Sequence, residues 1–506
     1  MNDPSVRIEH AQFSYQGGHE ASGGFDSTTS SVEQSHTVTA LRDISLRCEP
    51  GTITLICGAS GSGKSTVLRL INGLVPHVNE GTLTGTVQVM GESVPDAPIE
   101  ALGTHSETVF QNPRTQFFTS EVLSELAFRG ENWGKAPETI LNQAMIAAKQ
   151  VGIEDLLDQE LMNLSGGQLQ KVACAQALTP QPPVLIFDEP TSNLSPEAID
   201  QMGELLHTLK AAGHTIIVAE HRLYFLRDLA DHVVVMADGA IAHEYDGPTF
   251  FNLSEDDRQA LGLRTLVDPR TPLGPSVHDG TDKREHDDGL VLDQVRFSYG
   301  DKRILDIDHA AFRSHTITAI TGDNGVGKST LARVLCGLAR PARGGVIKLK
   351  HKRVRSRQRL SETTVVMQDV HRQLFGESVL TEVMIGQTGE DATTRARDVL
   401  RALGLAGTEE RHPLALSGGQ KQRLVVAAAV VADKSVYIFD EPTSGVDYRH
   451  LNGISAQMRE LADRGAVVLV ITHDPELIAT CADQIVRMES LDTIGTGQPQ
   501  LSFHLP

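Results

Sequence analysis

The chain is short of cysteine and of long hydrophobic runs, and each shortage excludes a class of protein. Its five cysteines form no C-x-x-C pair and lie far apart in 506 residues, at Cys48, Cys57, Cys174, Cys336 and Cys481. A disulfide framework is therefore not expected, and a reducing compartment fits best. The longest wholly apolar run, residues 424–432, is far below the roughly 20 residues that span a membrane. The start, MNDPSVRIEH, lacks the profile of a secretory signal, so we expect a soluble chain, or one held at a membrane through other proteins.

Positive charge is also scarce. The 45 Lys and Arg residues against 65 Asp and Glu residues give a formal net charge of −20, and such a surface repels nucleic-acid phosphate and anionic lipid. A nucleic-acid partner is therefore not expected. One basic run, KLKHKRVRSRQR at 348–359, is better explained as a solvated sheet edge whose charges prevent edge-to-edge pairing.

What the sequence does contain is an internal repeat. Lys64 and Lys328 occupy matching G-x-x-x-x-G-K-S motifs at an offset of 264, and two LSGGQ motifs recur at an offset of 252. The FDEP motifs with Glu189 and Glu441 share that same offset of 252. This order predicts two tandem copies of one domain.

The polar stretches between the motifs predict the domain boundaries. Residues 265–288 are rich in Pro, Gly and charge and predict an exposed linker. We therefore place the first domain at 1–264, the second at 289–490 and a C-terminal tail at 491–506. Residues 16–36 have no counterpart in the second copy and predict a flexible surface insertion in the first.

Each glycine-rich motif has the context that a phosphate-binding loop needs. The runs 52–57 (TITLIC) and 316–321 (TITAIT) predict buried strands that end in a glycine turn, and helices are expected to start at KSTVLRLI and KSTLARVL. Backbone N–H groups, a lysine and a Mg²⁺-binding serine would then face the phosphates of a nucleotide. The predicted phosphate-binding residues are Gly58, Ser60, Gly61, Gly63, Lys64, Ser65, Thr66, Gly322, Asn324, Gly325, Gly327, Lys328, Ser329 and Thr330.

Acidic pairs follow two further apolar runs, in VLIFDEP (184–190) and VYIFDEP (436–442). Both runs predict buried parallel strands that present the acids at their C-terminal ends. The first acid, Asp188 or Asp440, suits the Mg²⁺ shell. The second acid, Glu189 or Glu441, is placed to polarise an attacking water.

One histidine follows each acidic pair by 32 residues, His221 in the first copy and His473 in the second. A lone histidine after a strand is more often structural, but the repeated spacing favours a contact with the γ-phosphate. The remaining histidines form no H-x-x-x-H or Cys/His pattern, so a metal site other than Mg²⁺ is not supported.

Walker A, LSGGQ, D-E-P and the late histidine, twice in this order, resemble the nucleotide-binding domains of ABC ATPases. The resemblance implies an α/β fold of two tandem P-loop NTPase domains. Each would have a mainly parallel sheet core, an antiparallel β-subdomain and a helical subdomain that carries LSGGQ. It also implies head-to-tail pairing of the two halves, in which LSGGQ of one covers ATP on the Walker A loop of the other. The signature residues would be Ser165, Gly166, Gly167, Gln168, Ser417, Gly418, Gly419 and Gln420.

The same resemblance assigns residues outside these motifs. Gln111 and Gln368 become Q-loop residues that ligate Mg²⁺ and couple ATP to transport. Tyr15 and Tyr299 would stack on adenine, although each also fits a core aromatic of a strand. The D-loop aspartate of the family is present as Asp447 but replaced by Ser195 in the first copy. Either the second ATP site is the weaker one, or Ser195 merely caps a helix.

Residues 109–132 narrow the resemblance to the ATPases of energy-coupling factor (ECF) importers, through Q-N-P, Gln116 and Glu125. The stretch AEHRL at 219–223 agrees, whereas the second copy keeps only part of the pattern. This resemblance implies uptake of a vitamin, a vitamin precursor or a transition-metal ion. The partners would be an integral membrane coupling protein and a substrate-binding membrane protein, with the chain peripheral on the cytoplasmic face of the cell membrane.

Two alternatives remain open. Soluble twin-ABC ATPases that act on ribosomes share the two-domain plan but resemble one another in a long charged helical linker, unlike 265–288 here. The twin ATPases of monosaccharide importers usually have a degraded second Walker A, whereas GDNGVGKST is intact. An importer ATPase is therefore favoured.

Overall fold

The computed structural model describes residues 3–16, 38–192, 194–270, 276–277, 289–491 and 500–504. The chain divides into two units, Met1–Asp268 and Pro269–Pro506. Apart from Gln16, the predicted insertion lies outside the described residues, as does most of the predicted linker. The proposed domain boundaries therefore stay predictions.

The first unit contains ten strands in two sheets. In chain order they are β1 (Val6–Tyr15), β2 (Val38–Cys48), β3 (Ile53–Gly58), β4 (Gly81–Val89), β5 (Glu92–Ser93), β6 (Ser106–Val109), β7 (Val184–Asp188), β8 (Thr215–Ala219), β9 (His232–Ala237) and β10 (Ala240–Asp246). An antiparallel sheet has the order β2-β1-β4-β5, and the core sheet has the order β10-β9-β3-β8-β7-β6. All pairs of the core sheet are parallel except β9 with β10.

Nine helices accompany these strands in the described part of the first unit. They are α1 (Lys64–Ile71), α2 (Leu74–His77), α3 (Ile99–His105), α4 (Val122–Asn132), α5 (Pro137–Val151), α6 (Gly166–Leu178), α7 (Pro196–Ala211), α8 (Gly247–Phe251) and α9 (Glu255–Ala260).

The second unit repeats the plan with eleven described strands. They are β11 (Ser276–Val277), β12 (Leu290–Tyr299), β13 (Lys302–Phe312), β14 (Thr316–Thr321), β15 (Val346–Leu349), β16 (Lys352–Arg353), β17 (Thr363–Val366), β18 (Val436–Asp440), β19 (Val467–Ile471), β20 (Gln484–Met488) and β21 (Leu501–His504). Its antiparallel sheet has the order β13-β12-β15-β16, and its core sheet has the order β11-β21-β20-β14-β19-β18-β17.

The helices of the second unit follow the same order along the chain. They are α10 (Lys328–Leu335), α11 (Ser356–Glu362), α12 (Val379–Val383), α13 (Glu390–Ala402), α14 (Gly418–Val431), α15 (Tyr448–Asp463) and α16 (Pro475–Cys481).

The core sheet of the first unit lies between two apolar layers. All six residues of β3 are buried, as expected for a central parallel strand. Leu55 and Cys57 pack in one cluster with Leu169 of α6, whereas Ile56 packs on the opposite face in a cluster with Phe13 of β1. This alternation follows from the two-residue period of a strand. It places the C-terminal ends of β3 and β7 side by side, where the phosphate-binding loop begins.

Two predicted segments turned out to contain more structure than expected. The basic run 348–359 does form exposed edge structure, since β16 is the edge strand of its sheet. From Ser356 onward, however, the run is helical and Arg359 is buried. Within the expected tail, β21 pairs antiparallel with β20 at one side of the core sheet. In the described part of the chain, no helix is long and apolar enough to cross a membrane.

Candidate active sites

The loop between β3 and α1 depends on glycine for its shape. Gly58 has φ +133°, and a Cβ there would lie 2.2 Å from the carbonyl oxygen of Met236. Gly63 precedes the helix in the left-handed region, with φ 101°, which glycine adopts without steric cost. Gly322 and Gly327 repeat both features in the second unit. The backbone can therefore bring its N–H groups to the start of the helix, a favourable place for phosphate.

The two loop lysines are buried against their own loops. Lys64 Nζ donates hydrogen bonds to the carbonyl oxygens of Gly58 (3.1 Å) and Ala59 (3.0 Å). Lys328 Nζ donates to Gly322 (2.5 Å) and Asp323 (2.9 Å) in the same way. Burial lowers the pKa of Lys328, and nearby carboxylates oppose this shift. Each ammonium is thus held at the centre of its loop.

A hydroxyl and a carboxylate meet beside each loop. Ser65 Oγ donates to Asp188 Oδ1 at 3.2 Å, and Ser329 Oγ donates to Asp440 Oδ2 at 2.9 Å. Burial and the neighbouring Glu189 raise the pKa of Asp188 to about 6, and burial raises the pKa of Asp440. These carboxylates are therefore short of compensating positive charge. Paired hard oxygen donors with that shortage fit Mg²⁺.

In the first unit, Glu189 lies between the predicted Q-loop glutamine and the predicted histidine. Gln111 Nε2 donates to Glu189 Oε2 at 2.7 Å, and His221 Nε2 lies 3.4 Å from Glu189 Oε1. The backbone of Glu189 is left-handed, with φ 48°, and strained backbone of this kind clusters at functional sites. The structure thus brings together three residues that are 78 and 32 positions apart in the sequence.

Glu441 has different partners in the second unit, although its φ of 51° is nearly the same. Its carboxylate accepts hydrogen bonds from Thr472 Oγ1 (3.1 Å) and from the backbone N–H of His473 (3.0 Å). The ring of His473 lies 3.2 Å from Lys328 Nζ through Nε2. Gln368 is exposed, and among the described residues no side-chain hydrogen bond joins it to Glu441. The two catalytic centres are therefore similar but not identical.

Both LSGGQ motifs form the start of a helix through the same capping box. Ser165 Oγ accepts from the N–H of Gln168, and Gln168 Oε1 accepts from the N–H of Ser165 (2.9 Å). Ser417 and Gln420 do the same at the start of α14. The intervening Gly166, Gly167, Gly418 and Gly419 form the first turns of α6 and α14. Reciprocal capping fixes both helix starts.

The two tyrosines predicted to contact adenine have different surroundings. Tyr15 is 6% exposed, packs edge-to-face on Phe13 and places its hydroxyl 3.2 Å from Thr66 Oγ1. Tyr299 is 49% exposed, and its hydroxyl accepts a hydrogen bond from Arg333. Tyr15 therefore has the surroundings of a core aromatic, whereas Tyr299 offers an open ring. Stacking on adenine stays a prediction for both.

The residues at the D-loop position both cap helices. Ser195 Oγ accepts from the N–H of Ala198 at the start of α7. Asp447 accepts from the N–H of His450 at the start of α15, and its Oδ1 lies 2.8 Å from His450 Nδ1. Asp447 is 1% exposed. The geometry shows the capping role for both and leaves the inequality of the two ATP sites a prediction.

Three functional contacts were not predicted from the sequence. Arg222 Nη1 donates to the carbonyl oxygens of Thr191 and Leu194, so it ties the loop after His221 to the D-loop. Glu382 of the second unit accepts from the N–H groups of Phe375 and Gly376. Gln422 Nε2, on α14, donates to the carbonyl oxygen of Glu441. Pairing positions at the offsets of the repeat would have marked Glu382 as the counterpart of Glu125.

These folds and loops define a tandem P-loop ATPase, and comparison with known proteins agrees. A profile described as "ABC transporter" matches residues 41–192 and 296–444. A Treponema denticola protein provisionally named an ABC transporter ATP-binding protein is 40% identical over 451 residues, covering 88% of this chain and 91% of that protein. A Bacillus subtilis (strain 168) protein, provisionally named HMP/thiamine import ATP-binding protein YkoD, is 30% identical over 494 residues, covering 91% and 89%.

A solved assembly shows the same fold at lower identity. The chain matches a component of a model of ribosome-bound archaeal Pelota and ABCE1 with a TM-score of 0.63 and 21% identity, covering 90% of this chain and 74% of that one. The chain belongs to the ABC transporter family: it is an ATP-binding subunit of an ABC transporter, and an ATPase.

Proposed function

We propose that this ATPase powers an importer of the ECF type, for a vitamin, a vitamin precursor or a transition-metal ion. The observation that carries the proposal is full-length similarity to a protein provisionally named for HMP/thiamine import. The motifs of residues 109–132 and 219–223 agree with it. The second phosphate loop, where Lys328 is held as Lys64 is, argues against a degraded second site.

The Q-loop region has a built shape that supports a partner protein. In the first unit, buried Glu125 accepts from the N–H groups of Phe118 (3.0 Å) and Thr119 (2.8 Å) and from Gln176. Gln116 continues the network by donating to Gln176 and accepting from Phe110. This bracing leaves Phe118 73% exposed. Exposed aromatic side chains on a rigid support are typical of binding surfaces.

The second unit builds the same feature from Glu382 and Gln373. Gln373 accepts from the N–H of Met367 and donates to the carbonyl oxygen of Val365. Phe375, held by Glu382, is 79% exposed. We infer that Phe118 and Phe375 contact integral membrane partners, namely a coupling protein and a substrate-binding protein.

We further propose the roles of the catalytic residues. Glu189 and Glu441 polarise the attacking water, and Gln111 and His221 orient the first of these carboxylates. Lys64 and Lys328, with the loop N–H groups, hold the phosphates. Ser65, Asp188, Ser329 and Asp440, with Gln111 and Gln368, would hold Mg²⁺, which supplies charge neutralisation at the transferred phosphoryl group.

The signature helices complete the proposal. Following the family resemblance, the two halves pair head to tail, so that Ser165 and its neighbours cover ATP on Lys328. Ser417 and its neighbours then cover ATP on Lys64. Both capping boxes hold the signature N–H groups in a fixed direction, as an anion-binding role requires.

Co-purification tests this function. The tagged full chain should bring integral membrane proteins out of detergent-solubilised membranes. Phe118→Ser with Phe375→Ser should remove those partners while leaving the ATPase rate of the isolated chain unchanged. The matched control is Val78→Ser with Leu338→Ser, two exposed apolar positions elsewhere. Recovery of ribosomes without membrane proteins would contradict the proposal.

A further inference from the structure

The first unit contains a cleft of about 300 Å³ between α5, α6 and α7. Its lining includes Val151 and Gly152 at the end of α5, Lys171 on α6 and Met202 on α7. Lys64 and Glu189 do not line it, so the cleft is separate from the phosphate-binding loop and the catalytic carboxylate.

The second unit provides an internal comparison, because the offset of 252 pairs Gly152 with Gly404. A Cβ built at Gly404 would lie 3.1 Å from Arg423 Nη1 and 3.2 Å from His450 Nε2. A Cβ built at Gly152 would meet nothing within 4 Å. The same space is therefore filled by side chains in the second unit and open in the first.

The substitutions that open the cleft also change its charge. Arg423 and His450 correspond to Lys171 and Ala198, and Asp447 corresponds to Ser195. In the second unit the carboxylate of Asp447 lies 2.8 Å from His450 and raises the pKa of Arg423, against a larger lowering by burial. The first unit keeps a cation at this position but has lost the carboxylate. The cleft is thus left with positive charge and free volume.

A buried amide points to the same conclusion. Gln170 lines the cleft and is 3% exposed, yet its Nε2 has no hydrogen-bond partner in the described part of the chain. Its counterpart, Gln422, donates to the carbonyl oxygen of Glu441 at 3.2 Å. A buried donor without a partner is costly. A ligand oxygen in the cleft would satisfy it.

We propose that this cleft binds a small organic anion. Lys171 and the amide of Gln170, with Lys149 at the exposed rim, would hold its carboxylate or phosphate group. Buried Val151, Leu194, Met202 and Leu205 provide apolar walls for its body. Glu204 is the acidic residue of the lining, and it is exposed to solvent. The volume matches the lower end of small-molecule sites, roughly 300–1,000 Å³.

Direct binding measurements test the proposal with two probes, phenyl phosphate and 3-phenylpropionate. The full chain is first saturated with ADP and Mg²⁺, so that the phosphate-binding loops do not take up the probes. Titration calorimetry should show one probe per chain, and neutral benzyl alcohol should bind at least about tenfold more weakly. The stronger of the two probes identifies the preferred anionic group.

Variants locate the binding. Lys171→Arg with Ala198→His puts the side chains of the second unit into the cleft, and it should weaken binding at least about tenfold. Lys171→Met should do the same by removing the charge, without filling the volume. The control Lys210→Met, on the same helix layer but outside the lining, should leave the affinity unchanged. Absence of binding by both probes, or equal affinity in wild type and both Lys171 variants, would overturn the proposal.

Discussion

Glu189 and Glu441 occupy the same backbone conformation but are held by different groups. Gln111 and His221 contact the first, whereas Thr472 and the His473 N–H contact the second. Since each carboxylate is placed to act on water, Glu189→Gln with Glu441→Gln should lower phosphate release by at least about 10²-fold while ATP stays bound. Phosphate release and retention of labelled ATP measure both parts. Undiminished turnover would refute the assignment.

The single glutamate variants test whether the two sites are equal. If Ser195 weakens the site built on Lys328, Glu189→Gln should remove more of the total rate than Glu441→Gln does. Ser195→Asp should then raise the contribution of the second site. Because Ser195 and Asp447 both cap helices, the opposing expectation is equal losses with a silent Ser195→Asp. Steady-state ATPase rates of the three variants separate these outcomes.

Asp188 makes the stability of the nucleotide-free chain depend on pH. Burial and Glu189 raise its pKa from 3.8 to about 6, so folding favours the protonated form. Its contribution to stability is complete below about pH 4 and is lost as the pH rises through about 6. Asp188→Asn should therefore be more stable than wild type at neutral pH without Mg²⁺, by roughly 2 kcal/mol, and should lose ATPase activity. Urea unfolding at both pH values measures this, with exposed Asp155→Asn as the control.

At the scale of elements, α14 connects its LSGGQ start to the catalytic carboxylate of its own unit through Gln422. Gln422→Met keeps the length of the side chain and removes the donor. In a Glu189→Gln background it should lower kcat about fivefold, equal to a barrier change of about 1 kcal/mol, with KM for ATP unchanged. Gln170→Met in a Glu441→Gln background should have little effect, since Gln170 Nε2 has no partner within the described residues.

A pH profile distinguishes this hydrogen bond from simple packing. A protonated carboxyl at position 422 can donate to the Glu441 carbonyl oxygen, whereas a carboxylate repels it. Gln422→Glu should therefore regain activity as the pH falls, and Gln422→Met should not. Parallel profiles for the two variants would show that Gln422 acts only as filling.

Contiguous motifs explain why most of the fold and the main site residues could be predicted. Lys64, Ser65 and the strand before them lie in one short stretch, and the buried strand before Asp188 has a clear apolar run. The contact of Gln422 with Glu441 spans 19 positions and that of Arg222 with Thr191 spans 31. Such contacts arise from packing between elements, which no local pattern records. The strand Leu501–His504 was missed because its short polar-apolar run has no signal of its own.

For the whole molecule, burial of every cysteine predicts chemical inertness. All five thiols are free and buried, and burial raises the pKa of Cys48, Cys57, Cys174 and Cys481 to about 12. The thiolate is the reactive form. At about pH 8 the native chain should therefore incorporate less than about one iodoacetamide per chain, as counted by mass spectrometry. The guanidinium-unfolded chain should incorporate five. Rapid labelling of the native chain would show an opening that exposes a core.

The covalent union of the two units has a consequence for inheritance and dosage. Every translated chain delivers one Lys171–Ala198 unit and one Arg423–His450 unit, so their stoichiometry does not depend on the expression of two genes. Mixed assemblies with two identical units cannot dominate by chance, because the tether keeps the effective concentration of the sister unit high. Differences between the copies are then inherited as a matched pair. Selection can specialise one copy while the other keeps the ancestral chemistry.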